Sequence, residues 1–456
     1  MVKIYFEQGT LLVKDLDATA ETLIGEWLVF DERQECWRAQ GYHYANIVIA
    51  LHRAKVDYQD FAKDFSKVDF KAVDPWEPRD YQTKALEAWW KNRGRGVVVL
   101  PTGAGKSFLA NLCILKVNRP TLVVVPTIDL MHQWNGNLEK YFGEVIGMLG
   151  GGCKDIDRNI VVSTYDSAVI HLERIGNRFG FIIFDECHHL PSAVSKTAAL
   201  MSIAPYRLGL TATPERNDDG EELLYQLLGD LVFRIEIDQL EHKVLAPYET
   251  TCFTCDLSES EREAYDYHRK IYTDFLKSSG IDFSRDGWSQ FIIQASRQAG
   301  GKQALKSFME QKKLARTCQS KFDKIWELIV KHAGERILIF TADNATAYAL
   351  GESLMMPVIT HHTKGKERKQ FLDRFRSGEY LVLITSRVLN EGVDVPEASV
   401  GIVVSGSGST REHVQRLGRI LRASAGKQAN LYELISEGTA EVFVSERRRQ
   451  HRAYQR

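Results

Sequence analysis

The sequence is short of cysteine, of surplus charge and of long apolar runs. Its 456 residues include seven cysteines, too few for a disulfide scaffold and odd in number, so at least one thiol stays unpaired. A reducing, intracellular compartment is the expectation. Lys plus Arg total 59 and Asp plus Glu total 60, a formal net charge of −1. That balance speaks against a uniformly basic nucleic-acid binder, although a global sum cannot see a local patch. No apolar stretch approaches the ~18 residues of a membrane span, so no membrane partner is expected. The opening MVKIYFEQGT lacks the charged-then-apolar plan of a signal peptide. The cytoplasm of a prokaryotic cell, close to its nucleoid, is the expected location.

What is present is alternation. At ~150 residues per domain the length suggests about three domains. The continuous apolar runs 97–100, 122–125, 160–162 and 181–184 read as strands buried on both faces. Helical stretches separate them, such as 80–92, where Tyr81, Ala85, Ala88 and Trp89 share a stripe. The same writing resumes with 337–340, 381–384 and 400–404, again with helical stretches such as 366–376 between. Strand–helix–strand alternation implies parallel sheets. The expected fold is therefore α/β, with two parallel-sheet lobes at 74–235 and at 236–256 plus 321–456. Residues 257–320, charged and aromatic with no buried-strand run, read as a helical insert. Residues 1–72 read as a small α+β domain with strand-like alternation.

The segment Leu100-Pro101-Thr102-Gly103-Ala104-Gly105-Lys106-Ser107 follows the first buried strand and opens a helix. This is the setting a phosphate-binding loop requires, with Leu100 standing where the general pattern has its first glycine. Glycines let several N–H groups point at one anion, and the helix N-terminus adds partial positive charge. Lys106 would reach the β- and γ-phosphates of ATP, and Ser107 would offer a hydroxyl to Mg²⁺. Asp185-Glu186-Cys187-His188-His189 follows the strand 181–184. Two acids at the end of a buried strand are costly without a positive partner. Asp185 is expected to hold Mg²⁺, and Glu186 to act as general base on the attacking water. His188 reads equally as a structural histidine or as one bonded toward Gln415.

Gln415, Arg419 and Arg422 lie at i, i+4 and i+7 and would share one helical face. Such a face can present two guanidinium groups to a phosphate. Over 297–324 eight positive residues stand against Glu310 and Asp323, a local charge of +6. Cys252 and Cys255 invite a zinc reading, but no second cysteine pair follows, and on a strand the two would face opposite sides. Structural thiols are the expectation.

Taken in order, these segments resemble the superfamily 2 helicases, and specifically the compact archaeal members of the XPB family. The resemblance covers nearly the whole chain and implies that the two parallel-sheet lobes are RecA-like motor lobes. Arg79-Asp80-Tyr81-Gln82 is similar to the adenine-reading motif, which implies a base contact for Gln82 and, beside it, Arg79. The motifs around Thr127 and Thr164 resemble strand-tracking elements, and Thr211-Ala212-Thr213-Pro214 resembles the coupling motif. Glu391-Gly392-Val393-Asp394 is similar to a motif that contacts nucleotide and strand, and 415–422 to the arginine-finger motif. Arg216-Asn217-Asp218 stands where the family has an Arg-Glu-Asp element tied to unwinding, so its central acid is absent.

The resemblance implies an ATP- and Mg²⁺-dependent DNA helicase or translocase of 3′ to 5′ polarity, opening duplex DNA in nucleotide excision repair or related DNA repair. It makes 257–320 a thumb that grips DNA and 1–72 a damage-recognition-like domain, which carries nine basic residues against twelve acidic ones. Single-stranded, forked or damaged DNA is the expected partner, with a nuclease as a candidate protein partner, for a monomer or heterodimer. Three alternatives stay open: a double-stranded DNA translocase, an ATP-gated loading scaffold for a nuclease, and an RNA helicase.

Overall fold

The structure is a computed structural model. It describes residues 1–449 except 74, 214–219, 241–247, 282–286, 387–397 and 406–428. The chain divides into two compact units, the first built from Met1–Leu240 and the second mainly from the residues after it. Each is described by itself.

The first unit carries two sheets. A five-stranded, mostly antiparallel sheet runs Val29–Asp31, Cys36–Gln40, Thr10–Lys14, Val2–Glu7, Tyr58–Asp60. Its inner face buries Val2, Ile4, Leu11 and Val13 against the helices Ala18–Ile24 and Tyr44–Arg53. The second sheet has eight strands in the order Leu231–Arg234, Arg95–Val99, Tyr206–Thr211, Phe181–Asp185, Thr121–Val125, Ile160–Thr164, Gly147–Gly150, Cys153–Lys154. All its pairings but the last are parallel. Helices cover both faces, which is why the strands Thr121–Val125, Ile160–Thr164 and Phe181–Asp185 are buried throughout.

The small sheet is fastened to the large one. The Tyr42 ring lies close to two guanidinium groups, 5.2 Å from that of Arg95 and 4.9 Å from that of Arg207. Arg207 is fully buried on the strand Tyr206–Thr211, and burial pushes its pKa down to about 9. It donates to the carbonyls of Ala199, Ser202, Ala204 and Leu227. At Gly41 a side chain would meet the Met201 carbonyl at 2.7 Å, so only glycine permits this approach.

The second unit holds a six-stranded parallel sheet in the order Tyr248–Cys255, Ala429–Ser436, Val400–Val403, Ile337–Phe340, Val382–Thr385, Val358–Ile359. Between its first strand and the helix Gln319–Lys331 stand three helices, Glu259–Ser278, Gly287–Arg297 and Gly301–Arg316. Ser258 and Glu261 form a capping box that starts the first of them. The three helices have their own small core of Phe275, Phe291, Ala295, Ala304 and Phe308. The α/β fold with two parallel-sheet units and a small N-terminal sheet agrees with the expectation from the strand–helix alternation. Among the described residues no helix is long and apolar enough to cross a membrane.

Candidate functional site

The site forms where parallel strands of the large sheet end side by side. Thr211 pairs with Val99, and Asp185 with Leu210, so the loop after Val99, the threonine and the acids share one edge. The loop 100–105 leads into the helix Lys106–Val117. Gly103 and Gly105 have φ of 85° and 82°, the left-handed region that favours glycine. At Gly105 a side chain would also strike the Gln82 Nε2 at 2.6 Å.

Arg79 and Gln82 hold this loop from outside. The Gln82 Oε1 accepts from the Arg79 backbone N–H at 3.0 Å, and its Nε2 donates to the carbonyls of Ala104 and Gly105. The Tyr81 hydroxyl donates to the same Ala104 carbonyl at 2.7 Å and accepts from Arg79 at 3.2 Å. Gln82 is 3% exposed. Both ends of its amide are therefore engaged with protein, and it braces the loop. Thr102 is half-buried, Gly103 exposed and Ala104 buried along the loop.

Lys106 Nζ donates to Glu186 Oε1 at 3.2 Å, with both side chains only 12–13% exposed. Glu186 has φ of 46°, a left-handed backbone at the strand end that swings its carboxylate toward the loop. Its other oxygen stands 3.5 Å from His188 Nδ1. That nitrogen is 3.0 Å from the Thr211 hydroxyl, which itself donates to the Thr213 carbonyl. A connected line thus runs Lys106, Glu186, His188, Thr211, Thr213. The alternative bond from His188 toward Gln415 falls outside the described residues.

Asp185 is buried, and both oxygens accept hydrogen bonds: one from Trp134 Nε1 at 2.8 Å, the other from the Glu186 N–H at 3.0 Å. Burial, then the neighbouring Glu186, push its carboxyl up to about 6. The Tyr165 hydroxyl donates to its backbone carbonyl. Trp134 and Tyr165 as supports of the acid were not legible in the sequence, because an apolar face predicts burial but not which polar atom an indole will find.

Thr127 and Thr164 are helix N-caps, accepting from Leu130 N and Ser167 N. They stand at the ends of the strands 121–125 and 160–164, two and three places along the sheet from Thr211. Ser107 is half-buried at the start of its helix. Arg216, Asp218, Asp394, Gln415, Arg419 and Arg422 lie outside the described residues.

The basic stretch of the second unit is smaller as a surface than as a sum. Lys321 is fully buried, donating to Glu441 and to the Val404 carbonyl. Arg316 pairs with Asp343, and Lys324 with Glu327. Lys302, Lys306 and Lys313 remain exposed on the helix Gly301–Arg316, spaced four and seven residues apart and so along one side of it. Of the aromatics, Tyr265 and Phe275 are buried, whereas Tyr267 is 61% exposed. Cys252 is exposed and Cys255 buried, on opposite sides of their strand.

A glycine loop with its lysine and an acid pair, at the ends of two parallel strands separated by one other strand, define a phosphate-loop α/β protein. Three family models match in sequence order: the Xeroderma pigmentosum group B helicase damage recognition domain over residues 4–62, the type III restriction enzyme res subunit over 75–216, and the ERCC3/RAD25/XPB C-terminal helicase over 291–455. The chain is 42% identical over 378 residues to the DNA 3′-5′ translocase XPB2 of Sulfurisphaera tokodaii, covering 83% of this chain and 85% of that one. It is 32% identical to the DNA 3′-5′ helicase XPB of Mycobacterium tuberculosis, covering 83% of this chain and 64% of that protein. In fold it is similar to the helicase domain of Pyrococcus furiosus Hef, with a TM-score of 0.55, 18% identity and 82% of this chain covered. The chain belongs to the XPB family of helicases.

Proposed function

We propose that the chain is an ATP-hydrolysing DNA helicase or translocase that moves 3′ to 5′ and serves DNA repair. The single observation that carries this is the Lys106–Glu186 pair at 3.2 Å, set between the glycine loop and the buried Asp185. The direction and the DNA substrate come from the names of the archaeal and mycobacterial relatives.

Loop N–H groups and Lys106 bind the triphosphate. As Lys106 turns to the phosphates, Glu186 keeps its contact with His188 and can accept a proton from the attacking water. Trp134 and the Glu186 N–H fix the Asp185 carboxylate. The donor set fits Mg²⁺: Asp185 is a buried carboxylate whose pKa is raised by burial and by the adjacent Glu186, more than Lys106 offsets, and Ser107 adds a hydroxyl. Asp185 and Ser107 would hold the ion, which neutralises developing phosphate charge when bound. The His188–Thr211–Thr213 line carries the state of Glu186 toward the segment that begins at 214. The exposed Lys302, Lys306 and Lys313 supply backbone contacts to DNA.

The test is the ATP hydrolysis rate with single-stranded, forked, duplex and damaged DNA and with RNA, beside strand displacement on a substrate with a 3′ tail. Stimulation by DNA over RNA and displacement of one polarity are expected; equal stimulation by RNA would overturn the DNA assignment. Asn217, in the place of the family's acid, favours a second reading, translocation along duplex DNA with little unwinding. Triplex displacement without fork opening would select it.

A further inference from the structure

The end of the large sheet that lies away from the phosphate loop carries an exposed tryptophan among unpaired cations. Trp90 is the last residue but one of the helix Asp80–Lys91 and is 39% exposed. Its neighbour Trp89 is buried and donates to the Arg207 carbonyl at 2.9 Å, so the helix end is anchored and the second indole is held at the surface. The Tyr206 ring lies parallel to Trp90 within 10°, at 6.0 Å between centroids, and the Lys116 ammonium stands 5.2 Å from the indole centre. Gly94 has φ of 66°, and a side chain there would come to 2.5 Å from the Tyr206 ring, so the turn after the helix admits this arrangement only as glycine. The indole is therefore preset, and little freedom is lost when it meets a partner.

Two chain segments frame it, 84–95 and 112–119. They hold Lys84, Lys91, Arg93, Arg95, Lys116 and Arg119 against Glu87 alone, and six minus one gives +5. Arg95 lies against the Tyr42 ring and Arg119 donates to the Asn118 carbonyl. Lys84, Lys91, Arg93 and Lys116 are exposed, and among the described residues none of the four forms an ion pair. A large exposed aromatic ringed by free charge of one sign has the make-up of an interface centre with a steering rim. The patch stands where the strands Arg95–Val99 and Tyr206–Thr211 begin, whereas their far ends carry the phosphate loop and Thr211, roughly 13 Å along the strand. It is a surface apart from the nucleotide site.

The cations select an anionic partner, and the indole decides which kind. A nucleobase stacks on a free aromatic face. Trp90 already has a lysine over its ring and a tyrosine parallel to it, so it turns an apolar edge to water rather than an open platform. An apolar side chain flanked by carboxylates satisfies both features. We propose that this surface docks an acidic segment of a partner protein, with one apolar side chain seated on Trp90 and the carboxylates on Lys84, Lys91, Arg93 and Lys116. The proposal stands independently of the nucleotide reading of the Lys106 site.

The experiment follows the fluorescence anisotropy of labelled probes with the full-length protein. Three are peptides of one length: an Asp/Glu peptide with a central Leu-Phe pair, the same peptide with every acid replaced by lysine, and an all-acidic peptide. The fourth is oligothymidine. The acidic peptide with the apolar pair is expected to bind about tenfold more tightly than either other peptide. Trp90→Ala should weaken it about tenfold, a change of about 1.4 kcal/mol. Lys91→Glu combined with Lys116→Glu, both at the surface, should weaken it at least as much without moving the melting transition. Oligothymidine affinity should stay within about twofold in Trp90→Ala. Equal binding of the acidic and lysine peptides overturns the proposal, as does a Trp90→Ala affinity within about twofold of wild type. An all-acidic peptide that binds as well as the one with the apolar pair takes the indole out of the site and overturns it too. A loss in Trp90→Ala seen for oligothymidine and not for the peptide assigns the surface to nucleic acid instead.

Discussion

Replacing Lys321 by methionine separates a core lysine from a DNA contact. In the sequence Lys321 belongs to the basic stretch 297–324; in the structure it is 0% exposed and donates to Glu441 Oε2 at 2.6 Å and to the Val404 carbonyl at 2.9 Å. Methionine keeps most of the volume and removes the charge. Glu441 would be left without its cation, although it is 18% exposed and still accepts from the Ser436 N–H. Removing one partner of a buried pair costs about 3–5 kcal/mol, and the partial exposure of Glu441 favours the lower end. At roughly 2–4 °C per kcal/mol for a unit of this size, the melting transition of the second unit falls by roughly 6 °C or more. Scanning calorimetry reads the shift, and fluorescence anisotropy on labelled DNA, well below the transition, reads affinity. Expected are a lowered transition and unchanged DNA affinity. An unchanged transition with weakened DNA binding would refute the assignment of Lys321 to the core.

Glu186→Gln keeps the fold and ATP binding but slows hydrolysis by about 10²–10⁴, checked by phosphate release; wild-type turnover would remove Glu186 from its role. Asp185, whose carboxyl is pushed up to about 6 from its ordinary 3.8, binds a proton in the folded chain between those values that the unfolded chain releases. Stability of the metal-free protein therefore falls as pH rises through that window and is level above it, and Asp185→Asn flattens this part of the slope in urea unfolding. Changing Lys302, Lys306 and Lys313 together to glutamine lowers the slope of log affinity for DNA against log salt by about 2–3, at roughly 0.7–0.9 per contact, without moving the melting transition.

Central strands were legible wherever the sheet buries both faces, because a run such as Phe181-Ile182-Ile183-Phe184 has no other economical use. The strand Tyr206–Thr211 was not, because Arg207 and Gly209 break its apolar run. That arginine is internal only because four carbonyls and the Tyr42 ring converge on it, and no local pattern announces a partner 165 positions away. Lysines pose the same problem. Lys321 and Lys313 look alike in sequence, yet one is core and the other surface, since the difference lies in Glu441, far along the chain. Loop, acid pair and histidine were legible as a set because their chemistry demands fixed spacing. Their order in space, with Glu186 touching Lys106 on one side and His188 on the other, was not.

The contact between Lys106 and Glu186 pairs the loop lysine with one of the two adjacent acids. Before substrate arrives, the cation that would grip phosphate and the base that would activate water occupy each other. Neither chloride nor a stray water finds both at full strength. A ligand carrying enough negative charge to draw Lys106 away would also release the Glu186 oxygen that Lys106 holds. A motor built this way wastes little while idle, and the cost of that thrift is a threshold each new nucleotide must cross.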